Sequence, residues 1–396
     1  MRIPRLAAAL VAVVALPALS ACTDNRATTT KGADRTITVT SNDDSCDLSA
    51  DTAPSGNLVY RVHNAGSKVT EFYLYGEDGL RIVGEVENVG PGLSRDLVLH
   101  VPAGRYVPAC KPGMGGQGIR SRFTVTDSGG AGGASGAVAG ATRQQVATAT
   151  RQYAAYVRDQ SGQLLAGTRR FVAAYTAGDD ARARTLYPAV RVHWERIEPV
   201  AESFGDLDPK MDLREADLRE GQRWTGWHRV EKDLWPPRNA GYRALTPDQR
   251  GTYAEDLLAN TRALDRRVQK LSFTVDQIGN GAKSLLDEVA TGKVTGEEEH
   301  WSHTDLYDFA ANVDGARVAF EGLRPVLRHK DPVLGRRIDR RFQELQRLLE
   351  RHRSGAHGGR GFVSYDTLSR AEVRRLSDAV NALSEPLSQL TAAVAL

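Results

Sequence analysis

Residues 127–141 divide this chain into two parts that follow different hydrophobic periods. They read DSGGAGGASGAVAGA, a composition typical of a flexible linker. Before them, short alternating runs are separated by Gly, Pro, Asn and Asp, which is typical of a small antiparallel β-sandwich. After them, Pro is sparse and apolar residues recur at helical spacing. We therefore predict a multidomain chain, with a sandwich over 36–126 and an all-α helical bundle over 142–396.

The helical part contains long apolar stripes. One stripe steps by 4, 3, 4 and 3, which keeps its members on one helix face; they are Val190, Trp194, Ile197, Ala201 and Phe204. Another stripe contains Leu306, Phe309, Val313, Phe320 and Leu323. Helices with such stripes bury them against one another, which predicts a bundle.

The start of the chain has the layout of an export signal. Two arginines precede an apolar run over 6–19, which is too short to span a bilayer as a stable helix. The run ends in Leu-Ser-Ala-Cys, which resembles the lipobox of bacterial lipoproteins and implies acylation of Cys22. We predict a signal peptide over 1–21, a polar tether over 22–35, and lipid attachment to the outer face of the cytoplasmic membrane. The alternative is a soluble secreted protein in which Cys22 has no such role.

Charge and cysteine content narrow the partners and the compartment. The 52 basic and 49 acidic residues give a net charge of +3, which is too small to indicate a nucleic-acid partner. Cys46 and Cys110 are the cysteines left besides Cys22. In an oxidising compartment two such residues usually form a disulfide bond.

Residues 224–235 place a histidine and a glutamate on a helix face that should be buried. Trp224, His228, Glu231 and Trp235 are separated by steps of 4, 3 and 4, so they share one face. Burying a carboxylate is costly unless it is paired or binds a cation. Two interpretations stay open, a metal site and a buried hydrogen bond between His228 and Glu231.

The preceding helix carries carboxylates that suit the first interpretation. Glu195 and Glu198 can converge on one cation, and hard cations prefer carboxylate oxygens. Asp212 lies in the acidic segment that follows. Such residues on facing helices, together with His228 and Glu231, suit iron, with zinc or copper as alternatives. The opposing interpretation is a solvated acidic face.

Several segments resemble one family. The string GWHRVEKDLW at 226–235 resembles the His-x-x-Glu signature of imelysin-type domains. The strings HWERIEPVAESFGDLDPKMD at 193–212 and SHTDLYDFAANVDGA at 302–316 resemble two further segments of its iron-uptake branch. The layout of signal, cupredoxin-like domain, linker and imelysin-like domain is similar to that of the EfeO family.

This resemblance implies a function and a set of ligands. EfeO proteins are extracytoplasmic lipoproteins of an iron-uptake system. They bind ferrous or ferric iron and pass it to a membrane permease, alongside a haem peroxidase of the dye-decolourising type. Carried over by position, the metal ligands are Glu195, Glu198, Asp212, His228 and Glu231. We expect Asp305, Asp308 and Asn312 to tie buried polar groups together instead.

The sandwich resembles cupredoxins at YVPACKPGM, residues 106–114. A blue-copper centre needs two His ligands, but Glu71 stands near the expected first His and none lies between Cys110 and Met114. We therefore expect no such copper centre. Two alternatives remain. One is a Cys46–Cys110 disulfide bond, which the compartment favours. The other, implied by the resemblance, is a second metal site for copper or iron that contains Cys46, Glu71, Glu85, Cys110 and Met114.

Three other functional classes are weighed against iron transport. An imelysin-like metallopeptidase is disfavoured, because the chain contains neither His-Glu-x-x-His nor Gly-x-Ser-x-Gly. A copper-handling lipoprotein and a polysaccharide-binding lipoprotein are the other two. We predict a metal-binding transport component that is not an enzyme.

Overall fold

The computed structural model describes residues 35–79, 82–127, 140–237, 241–354 and 361–395. The predicted signal peptide, the lipidation site Cys22, nearly all of the tether and most of the linker lie outside these residues. Within them, no helix is both long and apolar enough to cross a membrane.

The first part is a two-sheet β-sandwich. One sheet has the strand order β2-β1-β4-β7, and the other has the order β3-β10-β8-β5-β6 with β9 paired to β8. The strands are β1 (Thr36–Ser41), β2 (Cys46–Leu48), β3 (Thr52–Pro54), β4 (Gly56–Asn64), β5 (Thr70–Gly76), β6 (Ile82–Val89), β7 (Ser94–Val101), β8 (Gly104–Cys110), β9 (Ile119–Arg120) and β10 (Phe123–Thr126). Most pairs are antiparallel as predicted, but β1 with β4 and β3 with β10 are parallel.

Alternation along the strands builds the sandwich core. On β4, Leu58, Tyr60 and Val62 are fully buried while their neighbours are more exposed. Strand β5 differs, because all its residues are buried. Its Phe72 joins the core between the sheets, whereas Tyr73 belongs to a separate apolar cluster on the other face. The second sheet is therefore covered on both faces.

The second part is a helical bundle. Its helices are α1 (Gly140–Thr176), α2 (Asp180–Glu195), α3 (Asp208–Met211), α4 (Trp227–Leu234), α5 (Pro247–Val268), α6 (Val275–Thr291), α7 (Asp305–Lys330), α8 (Pro332–Glu350), α9 (Arg370–Leu387) and α10 (Leu390–Ala395). A 3₁₀ segment, Glu198–Leu207, continues α2, and a short hairpin pairs Arg353–Ser354 with Gly361–Phe362. One apolar core includes both predicted stripes. The predicted fold class, a small β-sandwich followed by an all-α helical bundle, is confirmed.

Helix α6 joins the bundle to the sandwich. Asn280 donates a hydrogen bond to the backbone oxygen of Val98 at 2.9 Å. The backbone nitrogen of His100 donates to Asp276 at 3.1 Å. Arg95 pairs with Asp287 at 3.0 Å. All three contacts link α6 to β7, the edge strand of the first sheet.

Candidate metal centre

His228 lies on α4 inside the bundle, with 2% of its surface exposed. Its Nδ1 is 3.3 Å from Oε2 of Glu231, one helical turn later. The other oxygen of Glu231 accepts hydrogen bonds from the backbone nitrogens of Trp301 and Ser302, at 2.8 and 2.7 Å. Glu231 is thus satisfied by the protein itself. It fixes the orientation of the imidazole ring, as a carboxylate behind a metal-binding histidine does.

The opposite ring nitrogen faces two other carboxylates. Nε2 of His228 is 3.4 Å from Oδ1 of Asp212 and 3.7 Å from Oε1 of Glu298. Neither contact has hydrogen-bond geometry, so this buried nitrogen has no hydrogen-bond partner among the described residues. Buried polar atoms without partners are uncommon in native proteins. The three ligand atoms lie within 4.8 Å of one another, which is close enough for them to share one ion.

A second group of three uses the other side of the ring. His228, Glu231 and Glu299 also offer atoms within 4.8 Å of one another. Nδ1 is 3.9 Å from Glu299, but it already faces Glu231 at the shorter distance. Glu231 in turn accepts its two backbone hydrogen bonds. The Nε2 side is therefore the better place for a cation.

Glu195 and Glu198 come together around a lysine. The ammonium of Lys293 is 3.0 Å from Glu195 and 2.8 Å from Glu198. Asn312 donates to the same two carboxylates, at 2.9 and 2.6 Å. Neither glutamate belongs to the groups that could share an ion with His228. Of the residues predicted as one ligand set, the structure thus gathers Asp212 with His228 and Glu231, and places Glu195 and Glu198 beside a protein cation.

A buried arginine holds the other acidic groups. Arg191 is fully buried and is 2.6 Å from Glu299 and 3.2 Å from Asp308. It also pairs with Glu195 and Asp212. An isolated buried charge is costly, whereas one surrounded by opposite charges and hydrogen bonds is tolerated. Arg191 and Lys293 therefore offset much of the negative charge of this centre.

The electrostatics favour ionised carboxylates on the Nε2 side. Burial opposes ionisation of Asp212, but the charges of Arg191 and of a protonated His228 together hold its pKa well below the usual range. Burial likewise opposes ionisation of Glu298, yet Lys293 and His228 lower its pKa to about 2. Burial and then Glu231 raise the pKa of Glu299 well above its usual value. The two carboxylates nearest Nε2, Asp212 and Glu298, are thus ionised.

The residues of α7 that we expected to be structural ties make such contacts. Asp305 accepts a hydrogen bond from the backbone nitrogen of Glu299 at 3.0 Å, which positions the acidic loop 296–304. Asp308 contacts Arg191, and burial is the main cause that raises its pKa to about 8. Asn312 holds Glu195 and Glu198 as described above. Helix α7 thus positions residues of the centre through hydrogen bonds and an ion pair.

A cavity of about 1010 Å³ connects this centre to the sandwich. Asp212 and Glu298 line one side, and Glu71 and Glu85 on the outer face of the second sheet line the other. Glu85 also hydrogen-bonds to Glu202 of the bundle, and burial together with Glu202 raises the pKa of Glu85 well above its usual value. The cavity between the two parts is therefore strongly acidic.

Of the two alternatives for the sandwich, the structure contains the disulfide bond that the compartment favoured and does not assemble the second metal site. Cys46 and Cys110 form a disulfide bond with an S–S distance of 2.02 Å, so neither offers the thiolate that a metal requires. Met114 is 48% exposed, and Glu71 accepts a hydrogen bond from Tyr73 at 3.1 Å. Glu85 faces Glu202 across the domain boundary. The mixed sulfur and carboxylate site is corrected to a disulfide bond and two cavity-lining carboxylates.

Sequence reasoning missed Glu298, Glu299 and Lys293. Glu298 and Glu299 belong to a run of three glutamates in the loop after Gly296, a pattern that normally indicates a solvated turn. One feature of the sequence could have indicated these two glutamates. The run lies directly before the segment 302–316 that resembles the iron-uptake branch. Lys293 gives no such signal, because nothing in its neighbourhood indicates a buried ammonium.

Comparison with known proteins identifies relatives of this chain. The sequence model of the imelysin family, described as peptidase M75, matches residues 149–390. An Efem/EfeO family lipoprotein from Staphylococcus haemolyticus (strain JCSC1435) is 41% identical over 254 residues, which cover 63% of this chain and 85% of the relative. Another, from Staphylococcus aureus (strain MRSA252), is 40% identical over 251 residues with the same coverage of each chain.

Two solved structures are similar to parts of the chain. An iron-regulated protein A precursor from Parabacteroides distasonis ATCC 8503 is 16% identical with a TM-score of 0.47, and covers 65% of this chain and 97% of its own. Dithionite-reduced auracyanin from Roseiflexus castenholzii is 22% identical with a TM-score of 0.21, and covers 24% of this chain and 99% of its own.

Proposed function

The chain belongs to the Efem/EfeO family of lipoproteins and contains an imelysin domain, and we propose that it is the iron-binding component of an Efe-type uptake system. The main support for this proposal is the environment of the Nε2 atom of His228. This buried nitrogen has no hydrogen-bond partner among the described residues and faces two ionised carboxylates that line a cavity. Burial opposes protonation of His228, but Asp212, Glu231 and Glu298 raise its pKa well above its usual value. A metal cation that takes the place of the imidazole proton would satisfy all three groups at once.

The direct ligands in this proposal are Asp212, His228 and Glu298. Ligand atoms about 2.1 Å from one ion lie roughly 3.0–3.4 Å apart, from octahedral to tetrahedral geometry. The distances of 3.4 and 3.7 Å from Nε2 therefore require only a small inward movement of the carboxylates. Two carboxylates and one imidazole suit iron, and zinc is the main competitor.

Glu231 acts behind the histidine in this proposal and does not bind the ion. Its oxygens accept from His228 and from two backbone nitrogens, which fixes the ring with Nε2 toward Asp212 and Glu298. Such partners of a ligating histidine raise the basicity of the ring and tune its affinity for metal. Glu195 and Glu198 hold Lys293, whose charge limits how strongly the centre attracts a divalent or trivalent ion.

A centre that passes its cargo on must also release it. Three protein ligands leave coordination positions for water or for an incoming group, unlike a closed structural site. The acidic cavity supplies a path between the centre and solvent, and the sandwich forms one wall of it. Transfer to a membrane permease is the step that this arrangement serves. The permease and the dye-decolourising peroxidase remain predictions from the family resemblance.

The family name also raises peptide hydrolysis as an alternative. The proposed centre contains one histidine, whereas the zinc peptidases that carry His-Glu-x-x-His use two histidine ligands and a glutamate base. Each carboxylate around His228 already faces an arginine, a lysine or a backbone donor. No observation at the centre favours hydrolysis over binding, so transport is the function that we propose.

The direct test is calorimetric titration with ferrous iron under anaerobic conditions and then with ferric citrate. We compare the wild type with His228→Ala, and with His300→Ala as a control because His300 is exposed. We expect one saturable site that is lost in His228→Ala and kept in the control. Equal binding by both variants, or no binding by the wild type, would refute the proposed function.

A further inference from the structure

Helix α8 has an exposed stripe of arginines on the face opposite its buried side. Arg336, Arg340 and Arg347 follow one another at steps of 4 and 7, and Arg351 follows the end of the helix; all four are exposed. The buried side contains Leu334, Ile338, Phe342, Leu345 and Leu349. At 1.5 Å per residue the stripe is about 22 Å long. Its arginines share one face because their spacing follows the helical period.

These four arginines lack the carboxylate partners that their neighbours have. Arg337 pairs with Glu385, and Arg341 pairs with Glu344 at 2.7 Å. Within the part of the chain that the structure describes, Arg336, Arg340, Arg347 and Arg351 form no ion pair. Arg347 donates one hydrogen bond, to the backbone oxygen of Gln343. The guanidinium groups of the stripe are therefore free to meet an external anion.

The net charge of the chain understates how basic this face is. Nine carboxylates lie buried or partly buried around the metal centre, where they cannot offset charge on the far surface of α8; they are Glu195, Glu198, Asp208, Asp212, Glu231, Glu298, Glu299, Asp305 and Asp308. The neighbouring helix α9 begins with Arg370 and adds Arg374, and both are exposed. The net charge of +3 counts these buried carboxylates, which do not lie beside the exposed arginines of α8 and α9.

We infer that the arginine stripe of α8 rests on the anionic headgroups of the membrane to which this lipoprotein is attached. Guanidinium groups bind phosphate through two parallel hydrogen bonds, which suits a row of phospholipid headgroups. A lipoprotein is held next to a membrane, so this anionic surface is always within reach. The stripe sets the orientation of the bundle on that surface, and the lipid provides the attachment.

The orientation has a consequence for the metal centre. Helix α8 runs antiparallel to α7, as the contacts of Phe342 with Phe320 and of Asp339 with Arg324 require. The end of the stripe near Arg351 therefore lies beside the beginning of α7, where Asp308 belongs to the centre. When α8 lies on the membrane, the metal centre is therefore at the end of the bundle where α8 ends and α7 begins. This inference does not depend on which metal is bound.

Vesicle sedimentation tests the stripe. The chain from residue 23 onward keeps every described residue and cannot be acylated at Cys22. We compare binding to phosphatidylcholine vesicles with and without phosphatidylglycerol. The test variant replaces the four stripe arginines by glutamine. The matched control replaces four exposed arginines from different parts of the chain that form no ion pair among the described residues, namely Arg122, Arg169, Arg243 and Arg266.

Wild type and control should bind the phosphatidylglycerol vesicles and not the neutral ones, and salt should weaken that binding. The stripe variant should lose roughly five-fold in affinity for each arginine replaced. The inference is overturned if the wild type does not bind, or if test and control variants lose affinity equally. It is also overturned if the stripe binds a soluble polyanion such as heparin but not the vesicles.

Discussion

Replacing Glu298 by glutamine tests the residue that distinguishes our metal centre from the one expected from the sequence. Gln keeps the size of the side chain but removes the charge that Lys293 and His228 stabilise. Loss of a partner behind a metal ligand costs about 10–100-fold in affinity. Glu298 is proposed as a direct ligand, with its oxygen 3.7 Å from Nε2 of His228. We expect a loss of at least about 100-fold, which corresponds to about 2.8 kcal/mol.

The neighbouring Glu297 provides a matched control. It lies one residue away, is exposed, and carries the same charge. Titration calorimetry with ferric citrate should show wild-type affinity for Glu297→Gln and the large loss for Glu298→Gln. Circular dichroism of both variants shows whether the fold is intact. Equal affinity of the two variants would refute the role of Glu298 and leave the Nδ1 side of His228, with Glu299, as the alternative.

Three further predictions concern stability. Lys293→Met should destabilise the metal-free protein by about 3–5 kcal/mol, because it leaves Glu195 and Glu198 without their buried cation; urea unfolding measures this, and a loss below about 1 kcal/mol would contradict it. Replacing Cys46 and Cys110 by alanine should destabilise the sandwich by about 4 kcal/mol, since the bond joins residues 64 positions apart, and reduction of the wild type should give the same loss. Burial raises the pKa of Asp305 to about 6, so its stabilising contribution is present at low pH and is lost as the pH rises through about 6. The wild type should therefore lose stability relative to Asp305→Asn as the pH rises from about 4 to about 7. A difference in unfolding free energy that stays constant over this range would contradict the prediction.

Periodic patterns predicted the parts of the molecule that depend on local geometry. The alternation in β4 and the stripe from Val190 to Phe204 both appear in the structure as buried faces. The spacing of His228 and Glu231 correctly predicted that both are buried and close together, but Trp224 precedes the helix, which begins at Trp227. Such patterns report on burial because a helix or strand presents its residues at fixed angles.

The patterns did not predict which residues meet His228 from elsewhere in the chain. Glu298 reaches the centre through the loop after α6, 70 residues beyond His228, and no period links the two. Spacing on α2 made Glu195 and Glu198 appear to be ligands, because it could not show that Lys293 would lie between them. The different roles of the two imidazole nitrogens likewise depend on Trp301 and Ser302, whose backbone nitrogens donate hydrogen bonds to Glu231. Tertiary packing decides these contacts.

In the proposed centre, iron binds on the Nε2 side of His228. The most direct measurement is anomalous diffraction at the iron absorption edge, on crystals of the protein grown with ferric citrate. We predict one strong peak among Nε2 of His228, the Asp212 carboxylate and the Glu298 carboxylate. A peak between Glu195 and Glu198, a peak on the Nδ1 side beside Glu299, or a peak only in the sandwich would show that iron binds elsewhere.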